Sequence, residues 1–431
     1  LSESALEEVA SELGLSRYTG NVRVGRKIPA PIRKPPFNYL TGLDPLSWLN
    51  FERSYGQITN VDVQLFRDKT PVRFRSPVSF DRGGGRNLIR ISGEAFASLP
   101  RRPEVANLIH RGGIWRDNGL QISAFAINTH FFELHVPELR EVIDTLLGAT
   151  SIRHELSEKG KPGMAWLDLT DISPLLEMSI FAAVRELTTP RSKELMRALQ
   201  KLRADNAIDE ELAEIAAHWG GRSERRYRSA DELKRVSRAE APRVLERLAN
   251  VGWAERGLRV RCDRCGLPSF VSFPDTSERA TCPGCGSPAS YETGSALSVY
   301  YRLNSHLDLL SDQGVLPHLL SIAALARQGN QSHFLPGVNV WFEGNEKAEA
   351  DIFGVRNGQI IAGEVKTSAS EFKPEQVKRD VNLTSRLGAD VHVLAAPDDI
   401  SEEVTKRAED ECEAHGVGLI VLQRSDLLPS G

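Results

Sequence analysis

Three residues near the end of the chain have the types and spacing suited to chemistry on a phosphodiester: Asp351, Glu364 and Lys366. Asp351 lies in the run Ala348-Glu349-Ala350-Asp351-Ile352-Phe353-Gly354, and Gly363-Glu364-Val365-Lys366 lies in the next apolar run. Residues two apart on a β-strand point to one face, so Glu364 and Lys366 share a side. Between the runs stands Arg356-Asn357-Gly358, and Asn-Gly is the strongest short hairpin signal. Such a hairpin brings Asp351 beside Glu364, where both carboxylates can bind one hard cation through oxygen. Lys366 then stands alongside to orient or deprotonate a water, or to balance charge on phosphorus. A solvated charged face is the plainer alternative. Ile360, Ile361 and Ala362 argue against it, because an apolar run suits a buried strand, where unpaired charge is costly.

The pattern Asp-x12-Glu-x-Lys resembles the PD-(D/E)xK phosphodiesterase superfamily over roughly residues 295–431. The resemblance implies a restriction endonuclease-like α/β core with element order αβββαβ, and metal-dependent cleavage of nucleic acid. Asp351 then takes the place of the first acid, Glu364 of the second and Lys366 of the lysine, with catalytic Mg²⁺ or Mn²⁺ on Asp351 and Glu364. Many members carry a further acid on the first core helix. Here that helix is Val315 to Gln328, and the matching position holds His318, a residue able to act as ligand or base. The proline of the motif's name is replaced by Ala350. Glu349, two residues before Asp351 on the same strand face, is a further candidate.

The flanking pattern supplies the elements that position these groups. Leu316 to Ala326 is helical in period and Val338 to Phe342 reads as a strand. Pro374 suits a first helical turn, Val377, Val381 and Leu387 form an apolar stripe, and Gly388 suits the position after the helix. Val391 to Leu394 is a strand, Ser401 caps a helix ending at Gly416, and Val417 to Leu422 is the last strand. The alternation is that of an α/β domain.

Cys262-x2-Cys265 and Cys282-x2-Cys285, each pair followed by Gly, account for four of the five cysteines. Sixteen residues separate the pairs, with Phe270 to Phe273 as a strand between them. The spacing reads as a zinc ribbon with four thiolate ligands, closed and therefore structural. Two disulfides would require a secreted protein, and nothing resembling a signal peptide or membrane span is visible. Cys412 reads as a buried small hydrophobe.

Residues 222–261 hold twelve Arg or Lys against six Asp or Glu, in a chain of net charge −4. This is a local basic footprint. Ser229-x-x-Glu232 is a capping box for a short helix through Val236, and Ser237-x-x-Glu240 opens a second. Val244, Leu245, Leu248 and Val251 form its apolar stripe, and Ala254 to Gly257 reads as a turn before a strand. Two helices and a hairpin resemble half of a winged helix-turn-helix, with Arg238, Arg243 and Arg247 on the exposed side. Binding to DNA or to protein are both open to such a module.

The expected whole is a multidomain α+β chain. Residues 1–150 form a β-rich N-terminal region, with an irregular basic arm at Arg23 to Pro36 and short strands at 61–66, 72–74, 88–91 and 120–127. Gly83 to Gly85 lacks the Lys-Ser/Thr of a phosphate loop, and His130 and His135 lack a metal-ligand pattern. Residues 151–221 are a mostly helical connector, 222–261 the winged-helix-like module, 262–292 the ribbon and 293–431 the nuclease-like domain. The chain begins with Leu1, so the native start is expected upstream. The reading is a cytoplasmic, metal-dependent DNA endonuclease of genome defence or DNA processing. It acts on double-stranded DNA, with a homodimer or an ATPase or helicase as partner and no membrane. A non-catalytic DNA-binding or regulatory protein on the same scaffold, and an RNA nuclease, are the alternatives.

Overall fold

A computed structural model describes residues 96–116, 119–125, 137–190, 225–292, 297–327 and 331–429, with side chains of 119–125 only through 121. It adds the backbone of strands at 27–31, 48–53, 58–64, 72–75, 86–92 and 133–136. The architecture is mixed α and β, with several sheets and ten α-helices among the described residues.

The N-terminal strands are β1 (Lys27–Pro31), β2 (Trp48–Arg53), β3 (Ile58–Gln64), β4 (Val72–Arg75) and β5 (Arg86–Ser92). After α1 (Pro103–Ile109) come β6 (Ile114–Arg116), β7 (Gly119–Phe125) and β8 (Glu133–Val136). Six of them pair in the order β1-β2-β3-β5-β7-β6, and β4 pairs with β8. The basic stretch expected to be an irregular arm contributes β1, paired residue by residue with β2. A prolines-and-arginines composition gives no local sign of that distant partner. Gly83 to Gly85 and His130 lie outside the described residues, and of His135 only the backbone on β8 is described.

The expected helical connector at 151–221 holds a strand, β9 (Arg153–Leu156), before α3 (Gly160–Leu169) and α4 (Met178–Leu187). It follows α2 (Leu139–Thr150), and its residues 191–221 lie outside the described residues. β9 belongs to a sheet built mainly from the C-terminal third, so the boundary drawn at 293 does not coincide with the edge of that sheet.

That sheet follows α6 (Ser305–Asp312) and α7 (Leu316–Arg327). Its strands are β16 (Ser332–Trp341), β17 (Lys347–Arg356), β18 (Gln359–Val365), β19 (Val391–Ala395) and β20 (Gly418–Leu422), in the order β20-β19-β18-β17-β16-β9. The β16, β17 and β18 pairings are antiparallel. α8 (Pro374–Arg386) and α9 (Glu402–His415) make the crossovers to the parallel β19 and β20, before α10 (Arg424–Leu427). Gly388 and Gly416 follow these two helices with φ of +66° and +67°, the left-handed termination that glycine favours. α7 is buried at every position from Leu316 to Leu325, as a helix enclosed on all sides must be.

Between the connector and this sheet lie β10 (Tyr227–Ser229), α5 (Ala241–Asn250), β11 (Ala254–Cys262), β12 (Pro268–Ser272), β13 (Ala280–Thr281), β14 (Pro288–Tyr291) and β15 (Tyr300–Leu303). The strands form one sheet in the order β10-β15-β11-β14-β13, with β12 also on β11. The capping box of Ser229 and Glu232 is present, yet the helix expected through Val236 stops after one 3₁₀ turn at Ala230–Glu232. The buried Glu186 carboxylate accepts the Lys234 and Arg235 N–H groups at 2.7 and 2.9 Å, the donors a continuing helix needs. Val251 leaves the expected stripe and is exposed, because α5 ends at Asn250 and Gly252 turns the chain at φ +77°. The turn expected at Ala254 to Gly257 is strand instead, paired with Leu303 to Tyr300.

One hydrophobic cluster runs from Leu245, Leu248 and Trp253 through Leu310 and Leu319 to Ile352 and Ile361. The helical module and the C-terminal sheet therefore share a core. A second cluster packs Ile143 and Leu146 of α2 against Phe353, Ile360 and Ala362 on the other side of the sheet. No single helix among the described residues is long and apolar enough to cross a membrane. Among those residues α6 and α7 taken together reach that composition, across a 99° bend.

The join between β9 and α3 is a close backbone approach. A Cβ on Gly160 would lie 2.1 Å from Gly337 O and 2.4 Å from Pro336 O. Gly160→Ala should destabilise the fold by about 1–3 kcal/mol in chemical denaturation. Gly148→Ala, on α2 with nothing within 4 Å, should be neutral or slightly stabilising. Equal midpoints for the two variants would show that the approach at Gly160 is not a constraint.

Candidate active site and metal centre

The site begins with a two-residue turn. Arg356 pairs with Gln359, leaving Asn357 and Gly358 as the loop with φ of +49° and +79°. Two consecutive positive φ values make the type I′ turn that Asn-Gly favours, and its twist matches the flanking strands. The register runs Val355↔Ile360, Phe353↔Ala362 and Ile352↔Gly363, and one further step sets Asp351 across from Glu364. Both carboxylates are buried.

Their contacts are specific. Val365 N–H donates to Asp351 Oδ2 at 2.9 Å. Glu364 Oε1 accepts from Lys366 Nζ and, at 2.9 Å, from Gln376 Nε2 on α8. His318, buried on α7, has Nε2 3.7 Å from Asp351 Oδ1, while its Nδ1 has no partner among the described residues. These groups line a cavity of about 580 Å³ together with Lys159, Glu349 and Asp380. The sequence-level candidates Asp351, Glu364, Lys366, His318 and Glu349 are thus brought to one place, with Glu349 at its exposed rim.

Burial dominates the electrostatics. It raises the Asp351 carboxyl, against the Val365 N–H and the Lys366 charge, which favour the anion. Burial and then the Asp351 charge push Glu364 up to about 7. Burial and then Glu364 push Asp380 up to about 7, and its Oδ2 has no hydrogen-bond partner among the described residues. Burial pulls Lys366 down, but the Glu364 and Asp351 charges outweigh it and hold the ammonium above the ordinary lysine range. Burial drops His318 to about 4, so its ring is neutral at neutral pH.

Gln376, Asp380 and Lys159 were not singled out from the sequence. Gln376-x-x-x-Asp380 places two polar groups on one helix face, and that i, i+4 spacing after Lys366 is the signal that marks them. Lys159 carries no such signal.

Cys262, Cys265, Cys282 and Cys285 form the second centre. Their sulfurs all lie within 4.8 Å of one another, and among the described residues no other group of three or more His, Cys, Asp or Glu converges so tightly. Tetrahedral ligation at the usual metal–sulfur length of about 2.3 Å needs sulfurs roughly 3.8 Å apart. The Cys262–Cys285 and Cys265–Cys282 separations of 3.5 and 3.7 Å fit that requirement. Each knuckle closes with a Gly N–H donating to the first Cys carbonyl, Gly266 to Cys262 at 3.0 Å and Gly286 to Cys282 at 2.9 Å. Both glycines have positive φ. Four cysteines so arranged can bind a metal ion. Cys412 is buried in a separate apolar cluster.

Arg238, Arg243 and Arg247 are exposed at the start and along the outer face of α5, opposite Val244, Leu245 and Leu248. Arg247 pairs with Glu177 at 2.6 Å, an exposed pair of small energetic weight.

No protein-family model matches the chain, and no curated protein matches it. Among solved structures the chain is similar to protein VC1899 from Vibrio cholerae, at 14% identity and TM-score 0.31, covering 78% of this chain and 65% of that one. It is also similar to Can2 from Sulfobacillus thermosulfidooxidans, solved in complex with cyclic tetra-adenylate, at 8% identity and TM-score 0.26, covering 78% and 64%. The chain spans just under two thirds of the length of each. At these values neither likeness bears on what the chain does.

The raised carboxylates make a pH prediction for protein free of divalent cations. A carboxyl raised from 4.5 to about 7 stabilises the fold fully below pH 4.5, and that contribution is lost as pH rises through 7. Glu364→Gln removes the buried charge, so it should raise the melting temperature at pH 8 by a few degrees and have little effect at pH 4.5. The scans need Mg²⁺-free buffer without chelator, which would also remove any metal ion held by the four cysteines. An equal shift at both pH values would assign the effect to packing.

Proposed function

We propose that the chain is a metal-dependent endonuclease of the PD-(D/E)xK type, acting on double-stranded DNA. The observation that carries this reading is Asp351 and Glu364 on neighbouring strands, with Lys366 bonded to Glu364, in one cavity. The order α7-β16-β17-β18-α8-β19 supports it, being the αβββαβ order the motif resemblance implies.

A hard divalent cation, Mg²⁺ or Mn²⁺, held by Asp351 and Glu364 would bind a non-bridging phosphate oxygen and make a water more acidic. The two carboxylates suit that role, since each is buried beside the other and each ionises more readily with a cation present. Gln376 and Lys366, both on Glu364 Oε1, fix the rotation of that carboxylate. Lys366, bonded to Glu364 beside the acid pair, is placed to balance negative charge on phosphorus. His318, neutral and beside Asp351, is in the state that accepts a proton or ligates a cation.

The four cysteines would hold Zn²⁺, which favours tetrahedral sulfur, and a closed set of thiolates leaves no open position for chemistry. The strand order β10-β15-β11 beside α5 supports a winged-helix module, with the cysteine knuckles on the excursion between β11 and β15. Arg238 and Arg243, which make no ion pair among the described residues, suit contacts to DNA phosphates.

Glu364→Ala should lower Mg²⁺-dependent cleavage of plasmid DNA by about a thousandfold or more, with the fold, zinc content and DNA binding retained. Parallel assays on duplex DNA, single-stranded DNA and RNA identify the substrate class. Wild-type cleavage by this variant refutes the site assignment. Replacing Arg238 and Arg243 by Glu should weaken DNA binding and lower its salt slope by about two. Unchanged affinity at several salt concentrations would assign the module to protein contacts.

A further inference from the structure

The cavity holds one cation that the proposed chemistry leaves without a task. Lys159 lines it with Asp351 and His318, yet its side chain makes no hydrogen bond, ion pair or ring contact among the described residues. The other cavity cations are engaged. Lys366 is on Glu364, Arg386 on Glu346 at 2.7 and 2.9 Å, Arg379 3.7 Å from Asp380, and Lys347 lies 5.4 Å from the Trp341 ring centre. The Lys159 charge nonetheless reaches Asp351 and His318, favouring the Asp351 anion and disfavouring a proton on His318.

The backbone under Lys159 is pinned. Ser157 N–H donates to Gly337 O at 3.0 Å, and Ser157 Oγ accepts from Gly160 N at 3.1 Å. Gly337 itself has φ +74°, and it lies between Pro336 and Val338, which pair with Ile352 and Ala350 on either side of Asp351. A Cβ there would meet Ser157 Oγ at 2.5 Å. The start of α3 is therefore stapled to the strand next to Asp351. Read across the sheet, Lys366 and Glu364 sit on the β18 side of Asp351, and Lys159 enters from the β9 side of β16. The two strand steps from β17 to β9 amount to about 10 Å.

We infer that Lys159 binds a phosphate of the nucleic-acid backbone flanking the one that is cut. The inference rests on the proposed nuclease reading. A polyanion laid across these strands meets Lys366 at the acid pair and an unpaired ammonium to one side of it. Lysine serves such a contact as a flexible point charge. Lys159 holds the strand in register over Asp351 and Glu364, and takes no part in bond breaking.

The test measures cleavage of duplex DNA with Mg²⁺ by wild type, Lys159→Ala and Lys159→Arg, at several salt concentrations. Lys159→Ala should raise KM roughly tenfold with kcat within about threefold, and its salt slope should fall by about 0.9. Lys159→Arg should restore most of the affinity, with melting temperature and zinc content unchanged in both. A wild-type KM and salt slope for Lys159→Ala overturns the inference while leaving the nuclease reading intact. A loss confined to kcat overturns it as well, and a loss that tracks a lowered melting temperature assigns Lys159 to the fold. Absence of cleavage of DNA and RNA by the wild type itself refutes the nuclease reading and this inference with it.

Discussion

Two negative side chains held side by side out of water repel each other and resist ionisation, and the C-terminal sheet is built to hold Asp351 and Glu364 in that relation. The type I′ turn at Asn357-Gly358 leaves no slack in the register between β17 and β18, so neither carboxylate can slide away. Phe353, Ala362, Val355 and Ile360 continue the same register as buried pairs, and a slip of one residue would carry all of them to the opposite face of the sheet, against the wrong cluster. The Val365 N–H, Lys366 and Gln376 moderate the repulsion without removing it. A pair left in this state favours whatever positive charge the cavity admits.

The neighbouring elements follow from the need to bury that sheet on both faces. α7 covers one side as a helix buried from Leu316 to Leu325, and α2 covers part of the other. The basic module is not tethered to this body but continuous with it, since Leu245 and Trp253 belong to the cluster that contains Ile352. Its exposed arginines therefore hold a fixed relation to the cavity. The knuckles differ. Their own cluster is Val260, Cys262, Ala280, Cys282 and Ala289, too little apolar material to order that excursion alone. A bound metal would supply what the core lacks.

Local signals were readable where the physics is local. Asn357-Gly358 announces its turn because few other residue pairs accept two positive φ values. The cysteine spacing announces the knuckles because a four-thiolate site needs two short loops. Pro374, Ser401 and Gly416 marked helix ends through backbone groups within a turn of themselves. From these alone the pairing of Asp351 with Glu364 and the approach of Lys366 could be written down.

What stayed hidden depends on partners far along the chain. β9 has no strand signature of its own and becomes one because β16 offers it an edge. The helix after Ser229 has its cap and still ends within a turn, because Glu186, more than forty residues earlier, takes the N–H groups it needed. Asp380 reads as an ordinary acid on a surface helix until packing carries it into the cavity, and Lys159 reads as one lysine among many. Periodicity and capping act over a few residues and are written into neighbouring side chains. Which polar group is carried beside which depends on how whole elements stack, and that energy is shared among apolar contacts that no short stretch contains.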